Sequence, residues 1–304
     1  MEMLPWCAGI IDGEGGISLS KIGCSRVQLY MTVPTTSKAV VSRLQDTLGG
    51  NVNPGKRETE TQRAQWVWAT ADGDVLKKAL VLLRPWLVVK GRHADLALQF
   101  LDECWSSSHG HYISQAEESR RLWYYSEMSR LQIKGKYSKR NREFQSSLQP
   151  TEAQTPFADP RWVGWAAGII EGEGTIQLIA GGNKHQVNLN VEVRMTNTEA
   201  VIALSAVLGG RSKPLNDTNG VRNDKRPQWT WLIQNARAVE ALLKVQPFAV
   251  EKGRQIELAL EFWNTCSHPK GYNKKLSDAE VDRRFDFMHQ LQALHHDRPQ
   301  LSVN

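Results

Sequence analysis

The sequence predicts an α+β protein made of two pseudo-symmetric domains, each with the element order αββαββα followed by extra helices. The first reason is a repeat: WCAGIIDGEGGI at 6–17 recurs as WAAGIIEGEGTI at 165–176. The second is that helical periodicity and strand alternation follow one another in the same order in both halves. Further copies occur at 48–50 and 208–210 (LGG), and at 90–100 and 252–262 (KGRHADLALQF and KGRQIELALEF).

The repeat is a duplicated domain. The two motif glutamates, Glu14 and Glu173, are 159 residues apart, which is far too long a period for a solenoid. A chain of 304 residues also suits two domains. We predict a first domain at 1–133, a basic and polar linker at 134–160 and a second domain at 161–304. The linker is either a solvated connection or a strap along phosphates.

The elements follow in order from these patterns. The apolar, small-residue run before each motif glutamate predicts a helix. Two alternating segments then predict a strand pair, and a periodic segment with a glycine stop predicts the next helix. A tryptophan-rich strand and a helix ended by proline complete each unit, and a further helix follows Lys90 and Lys252. The alternating strands are GISLS (16–20), VQLYMTV (27–33) and QWVWA (65–69), then TIQLI (175–179), VNLNVEV (187–193) and QWTWL (228–232).

Composition restricts the class of protein. The net charge of +6 mildly favours a polyanionic partner. The four cysteines form no CxxC pair, which argues against a zinc knuckle, and four thiols in a chain of 304 residues do not make a disulfide framework. They fit a reducing compartment, either an organelle matrix or a prokaryotic cytoplasm. No apolar run approaches the ~20 residues of a membrane span, so no membrane partner is expected.

The outward faces of the predicted strands are rich in Asn, Gln, Arg, Thr and Tyr. Arg suits guanine O6 and N7, while Asn and Gln suit adenine N6 and N7. An ordinary solvated sheet is the alternative, but Glu and Lys are scarce on these faces. We therefore predict DNA-reading residues, which are Ser18, Ser20, Gln28, Tyr30, Thr32, Arg63, Gln65, Gln177, Asn188, Asn190, Glu192, Arg194, Arg226, Gln228 and Thr230.

The glycines inside the motif helices indicate close helix packing, because each costs about 1 kcal/mol relative to alanine. If the two helices pack about a pseudo-twofold axis, Glu14 and Glu173 converge at their C-terminal ends. Two facing carboxylates repel unless a cation lies between them, and a site with few oxygen ligands suits Mg²⁺. The alternative is that DGEG and EGEG are polar turns that end buried helices. Two copies in a duplicated frame favour the metal site.

The segments CAGIIDGEG (7–15) and AAGIIEGEG (166–174) resemble the motif of the LAGLIDADG homing endonucleases, in the branch with two repeats in one chain. The resemblance implies a DNA-binding saddle of two antiparallel sheets and Mg²⁺-dependent cleavage of both strands. It implies that Glu14 and Glu173 bind metal and that Lys90 and Lys252 stabilise charge or activate water. It also implies that Asp12 and Glu171 are structural caps and that Ser37 and Asn197 position water. The motif departs from the family name at Cys7 and Ala166 and in its final glutamate.

The expected activity is site-specific double-strand cleavage of a pseudo-palindromic DNA target. Strand length predicts about 8–10 base pairs per half and about 20 in total, read by a monomer. Two alternatives stay open: an RNA maturase that assists intron splicing, with intron RNA as a partner, and a DNA-binding remnant without catalysis. The paired acids and paired lysines favour the endonuclease.

Overall fold

The structure is a computed structural model, and it describes residues 3–22, 26–57, 59, 63–104, 113–132, 157, 159–181, 186–215, 228–267 and 276–296. The first repeat contains α1 (Leu4–Glu14), β1 (Gly16–Ile22), β2 (Arg26–Thr35), α2 (Lys38–Leu48), β3 (Asn51–Pro54), β4 (Trp66–Thr70), α3 (Gly73–Leu83), α4 (Gly91–Cys104) and α5 (Gln115–Leu131). The second contains α6 (Trp162–Glu173), β5 (Gly174–Ala180), β6 (Val187–Met195), α7 (Thr198–Leu208), β7 (Arg211–Pro214), β8 (Trp229–Gln234), α8 (Asn235–Val245), α9 (Gly253–Thr265) and α10 (Asp278–His296).

The predicted α+β architecture is confirmed. Each repeat has one four-stranded antiparallel sheet, with strand orders β1-β2-β4-β3 and β5-β6-β8-β7. Residues alternate along the strands, so that Leu29 and Met31 of β2 are buried while Gln28 and Tyr30 lie on the outward face. The helices cover the inward face of each sheet, and one continuous core of buried side chains runs through both repeats.

In each repeat, a hydrogen bond joins the LGG motif to the second tryptophan of the tryptophan-rich strand. In the first repeat the indole Nε1 of Trp68 donates to the carbonyl oxygen of Gly49 at 2.8 Å, and in the second Trp231 donates to Gly209 at 2.7 Å. Both glycines have a φ near +76°, 77° at Gly49 and 75° at Gly209, which is a conformation that favours glycine. The motifs therefore recur because each one ends a helix and fastens it to the sheet.

The two repeats are joined by close packing of α1 against α6. A Cβ atom on Gly9 would overlap the carbonyl oxygen of Trp165, and one on Gly168 would overlap that of Trp6. The two glycines thus mark the point where the helix backbones touch.

Both predicted helix ends at proline are confirmed, since α3 and α8 each end in a short 3₁₀ turn, Arg84–Trp86 and Gln246–Phe248.

Cys7, Cys104 and Cys266 are free thiols in the core, as expected for small apolar residues, and Cys24 lies outside the described residues. Of the helices that the structure describes, none is both long enough and apolar enough to cross a membrane. The predicted linker at 134–160 falls almost entirely outside the described residues.

Candidate active site

The crossing of α1 and α6 brings Glu14 and Glu173 together at the C-terminal ends of the two helices. A Cβ atom on Gly172 would lie 3.0 Å from Cγ of Glu14, and one on Gly13 would lie 3.3 Å from Cγ of Glu173. Each glutamate side chain therefore lies against the backbone of the opposite helix. This packing is possible because the residue before each glutamate has no side chain.

Lys90 and Lys252 lie at the starts of α4 and α9, beside the same helix ends. The Nζ atom of Lys90 donates to the backbone carbonyl oxygen of Asp12 at 2.7 Å, and Lys252 makes the equivalent bond to Glu171. The backbone N–H of each lysine donates in turn to the side chain of that acid, at 2.9 Å for Lys90 and 2.8 Å for Lys252. Both lysines are thus fixed at two points to the C-terminal end of the motif helix of their own repeat.

Asp12 and Glu171 are buried acids that anchor these lysine loops. Asp12 is 1% exposed and also accepts the backbone N–H of Val88 at 2.7 Å. Glu171 is 6% exposed and also accepts the backbone N–H of Val250 at 3.0 Å and of Glu251 at 2.7 Å. The position that the family resemblance assigns to a structural cap therefore caps the loop that carries the lysine.

The charges of the site oppose one another. Loss of hydration raises the pKa of Glu14, and Lys252 and Lys90 partly offset this rise. Loss of hydration also raises the pKa of Glu173, the Glu14 carboxylate adds to the rise, and the two lysines offset it. Burial lowers the pKa of Lys90 and of Lys252, against the nearby carboxylates. A cluster in which the pKa values of two acids and two lysines are all shifted is typical of a functional site.

The two glutamates fit a divalent cation. Their carboxylates repel at the negative ends of two helix dipoles, and a bound cation would remove that repulsion. Within the described ranges, no cluster of three or more His, Cys, Asp or Glu side chains is placed to hold a metal. Water and phosphate oxygens would have to complete the ligand shell, which is the mode of binding that Mg²⁺ prefers.

Ser37 and Asn197 occupy matching positions, but their side chains cap helices. The Oγ atom of Ser37 accepts the backbone N–H of Val40 at 3.4 Å, and Oδ1 of Asn197 accepts that of Ala200 at 3.0 Å. They are the N-cap residues of α2 and α7. This structural role accounts for both residue types, since Ser and Asn are favoured N-caps.

The outward faces of the sheets carry most of the predicted DNA-reading residues, many of them paired. Ser20 and Tyr30 share a hydrogen bond of 2.8 Å, and Ser18 accepts one of 2.6 Å from Gln132. In the second repeat, Arg194 forms a two-pronged ion pair with Glu192 at 2.8 and 3.0 Å. Asn188 accepts from Asn235 at 3.2 Å, and Gln28, Thr32 and Gln177 are half-buried on the same faces.

Several predicted reading residues are placed differently from the expectation. Arg63 and Gln65 precede β4, which begins at Trp66, so the strand alternation does not set their direction. Nη2 of Arg63 donates instead to the backbone carbonyl oxygen of His295 at 2.8 Å. Gln228 likewise precedes β8 and is exposed, while Arg226 lies outside the described residues.

Two further residues lie on the outward face but are covered. Asn190 is 8% exposed and accepts a hydrogen bond from Gln234 at 2.9 Å. Thr230 is 1% exposed and lies between Arg194 of β6 and Lys213 of β7 in the sheet register. Strand alternation predicted the correct face for both residues, but it did not predict that both would be buried there.

Solved structures provide the comparison. No protein-family model and no curated protein sequence matches this chain. The structure of I-SmaMI bound to an uncleaved DNA target in the presence of calcium ions is similar, with a TM-score of 0.64, 15% identity and coverage of 95% of this chain and 98% of that one. The LAGLIDADG homing endonuclease I-GzeII in complex with its DNA target is similar with a TM-score of 0.63 and 13% identity, over 98% of this chain and 99% of that one. The LAGLIDADG meganuclease I-AabMI bound to uncleaved DNA is similar with a TM-score of 0.65 and 16% identity, over 94% of this chain and 98% of that one.

This chain has the LAGLIDADG homing endonuclease fold.

Within the LAGLIDADG fold, the structure shows two outward basic residues that the sequence patterns did not predict. Arg211 and Lys213 project from the short strand β7, where Ser212 between them turns inward and donates to the carbonyl oxygen of Val201 at 2.9 Å. Alternation in the segment RSKP could have identified them, but four residues are a weak signal. The equivalent residues of the first LAGLIDADG repeat are Asn51 and Asn53.

Proposed function

We propose that this protein is a LAGLIDADG homing endonuclease that cuts both strands of a specific DNA target with Mg²⁺. The observation that carries the proposal is the pair of glutamates at the packed ends of α1 and α6, each beside a lysine that is fixed to the motif helix. Two equivalent acid and lysine sets, related by a duplication, suit a reaction that must occur once on each strand.

The chain's own residues have distinct tasks in this reaction. Glu14 and Glu173 would hold the divalent cation. Asp12 and Glu171 keep the lysine loops in place through backbone hydrogen bonds. Nζ of Lys90 and of Lys252 has two donors left after its bond to the carbonyl oxygen, and these can face a phosphate or a water molecule. The bound cation would supply charge stabilisation for the phosphate and lower the pKa of its water.

Target recognition would belong to the two sheets. Seven to ten residues in β1, β2, β5 and β6 span roughly 23–33 Å at ~3.3 Å per residue. This length corresponds to about 7–10 base pairs per half-site, at 3.4 Å per base pair. We therefore propose a monomer with domains at 1–133 and 161–304 that binds about 20 base pairs. Because the outward residues differ between the repeats, the target is pseudo-palindromic.

The RNA maturase and the non-catalytic DNA-binding protein are the competing functions. Neither of them requires two acids and two lysines in matching positions around one helix crossing. This chain keeps all four residues, together with both buried acids that anchor the lysine loops. The retained set favours the endonuclease.

The proposal is tested by selecting targets from a randomised duplex library in Mg²⁺, followed by Glu14→Gln and Glu173→Gln variants on the selected duplex. Because both glutamates bind metal and contact no bases, each change is expected to lower double-strand cleavage by about 10³-fold or more while the Kd for DNA changes little. Glu240→Gln, on the exposed surface of α8, is the matched control and should cut normally. Ca²⁺ should support binding without cutting, because its looser coordination positions the reacting groups poorly.

The outcome separates the three functions. Cleavage of both strands by both glutamine variants at the original rate would refute the assignment of the site. Splicing assistance on an intron RNA without any cleaved duplex would favour the maturase. A selected duplex that binds tightly and stays intact in Mg²⁺ would leave only the DNA-binding protein.

A further inference from the structure

An isoleucine lies in the row of outward residues on β5. Ile179 is 39% exposed, and its neighbours in the strand, Leu178 and Ile176, face the core and are 3% and 0% exposed. Alternation therefore places Ile179 on the same face as Gln177, opposite Asn188 of β6. A β-branched apolar side chain on this face exposes apolar surface to water in the free protein.

The polar residues around Ile179 leave it accessible. Asn188, its partner across the strands, turns toward Asn235 and accepts its hydrogen bond at 3.2 Å. Asn235 in turn accepts the backbone N–H of Leu189 at 3.1 Å. The amide that could cover Ile179 is thus fixed by the start of α8, and the isoleucine remains free to contact a partner.

A similar residue occurs in the first repeat, but not at the same place. Ile22 of β1 is 49% exposed and lies opposite Arg26 of β2. It shares the outward alternation of Ser18 and Ser20. The residue that matches Ile179 in the duplication is Ser20, because each lies six positions after its motif glutamate, whereas Ile22 lies eight positions after Glu14.

We propose that Ile179 and Ile22 are specificity-determining residues that each contact the C5-methyl group of a thymine, one in each half-site. The inference rests on the proposed endonuclease function. The thymine methyl is the only apolar group that a base pair presents in the major groove, so it is the natural contact for an exposed aliphatic side chain on a reading face. Polar side chains such as Ser20 leave such a methyl without a partner.

The geometry also places the two thymines at different distances from the centre of the target. Six residues from Glu173 to Ile179 span about 20 Å, and eight from Glu14 to Ile22 about 26 Å. At 3.4 Å per base pair, the contacts lie about six base pairs from the centre in one half and about eight in the other. The methyl contacts are therefore offset by about two base pairs between the half-sites.

The test uses the full chain and the duplex selected from the randomised library, with each thymine replaced in turn by uracil, which lacks only the methyl group. Binding is measured in Ca²⁺. We expect uracil to weaken binding about three- to five-fold at one position in each half-site, the loss expected for one buried methyl group. In Ile179→Ala one of these two effects should disappear, and in Ile22→Ala the other. Ile202→Ala is the matched control, because Ile202 is an exposed isoleucine on α7 and not on a sheet face, and this variant should keep both effects.

The outcomes are distinct. Uracil effects that are the same in the original protein and in both isoleucine variants, or that are absent throughout, would overturn this inference alone. If the two thymines whose uracil effects disappear in the isoleucine variants lay at equal distances from the centre, the offset would be wrong, and with it the assignment to Ile22 and Ile179. A chain that selects no duplex at all would overturn the proposed function, and the inference with it. If each isoleucine variant lost the uracil effect at one thymine, and the two thymines lay in opposite half-sites, both contacts would be established.

Discussion

The two repeats anchor their lysine loops with the same kind of buried acid but with different partners. Asp12 accepts two backbone N–H groups and also the indole Nε1 of Trp165, which comes from the other repeat, at 3.0 Å. Glu171 accepts three backbone N–H groups. Among the described residues, no partner reaches Nε1 of Trp6, which is buried at the position equivalent to Trp165. The side chain of Glu171 is one methylene group longer than that of Asp12. It accepts a third backbone N–H where Asp12 accepts the indole N–H from the other repeat.

The outer edges of the two sheets differ as well. β7 presents Arg211 and Lys213 where β3 presents Asn51 and Asn53. The candidate active site is nearly symmetric in its glutamates and lysines, whereas the groups that anchor it and the outer sheet edges are not. In the proposed endonuclease, both strands require the same chemistry but the two half-sites have different sequences, and the repeats can diverge accordingly.

The strongest test of catalytic equivalence is the pair Lys90→Ala and Lys252→Ala. If each Nζ stabilises charge in the transition state, each change should slow single-turnover cleavage by on the order of 10²-fold or more and alter the Kd far less. Lys244→Ala on α8 provides a control outside the site. An unchanged rate in both variants would make these lysines structural, and a loss in only one would break the equivalence of the repeats.

A second difference lies in the first turn of the helices that follow the lysines, where His93 matches Gln255. Burial, aided by the nearby Lys90, lowers the pKa of His93 from 6.5 to about 4. Between these values the unfolded chain binds a proton and the folded chain does not, so stability falls as the pH falls from 6.5 to 4. The loss should reach about 3 kcal/mol, measured as the urea-unfolding free energy at several pH values.

His93→Gln, which copies the second repeat, should remove most of this pH dependence between pH 4 and 6.5. His289→Gln is the control, since His289 is exposed on α10. The same slope in His93→Gln as in the original protein would assign the pH dependence to other groups.

The tryptophan pair tests the difference in anchoring directly. Trp165→Phe removes the indole donor to Asp12, while Trp6→Phe removes a buried indole nitrogen for which the described part of the chain provides no partner. Both changes lose similar volume, so the hydrogen bond should make Trp165→Phe more destabilising by about 1–2 kcal/mol in urea unfolding. Equal losses would mean that the Asp12 bond contributes nothing beyond packing.

The smallest expected effect concerns the outer edges. Replacing Arg211 and Lys213 together with glutamine should weaken DNA binding and reduce the slope of log K against log salt by about 2, because two phosphate contacts would be lost. Replacing Asn51 and Asn53 with alanine should leave that slope unchanged. A slope that stays constant in the β7 variant would exclude these residues from the phosphate backbone.

Much of this molecule could be predicted from the sequence, because the determining patterns are local and occur twice. Strand alternation and helix periodicity placed the elements and the inward faces. Glycine before each motif glutamate indicated close helix packing, and the structure brings Glu14 and Glu173 together as that packing requires. The roles of Lys90 and Lys252 came from the family resemblance, and the structure places both beside the same helix ends.

The tertiary structure alone decided what lies next to each predicted residue. Alternation shows which face a side chain occupies, but it does not show that Arg194 and Lys213 flank the buried Thr230. The hydrogen bond from Arg63 to His295 joins residues 232 positions apart, and the bond from Trp165 to Asp12 spans 153. Ser37 and Asn197 cap helices because a polar side chain at a helix start satisfies the nearest free N–H groups. Local sequence sets the elements, whereas long-range packing determines which polar groups remain exposed on the outward faces of the sheets.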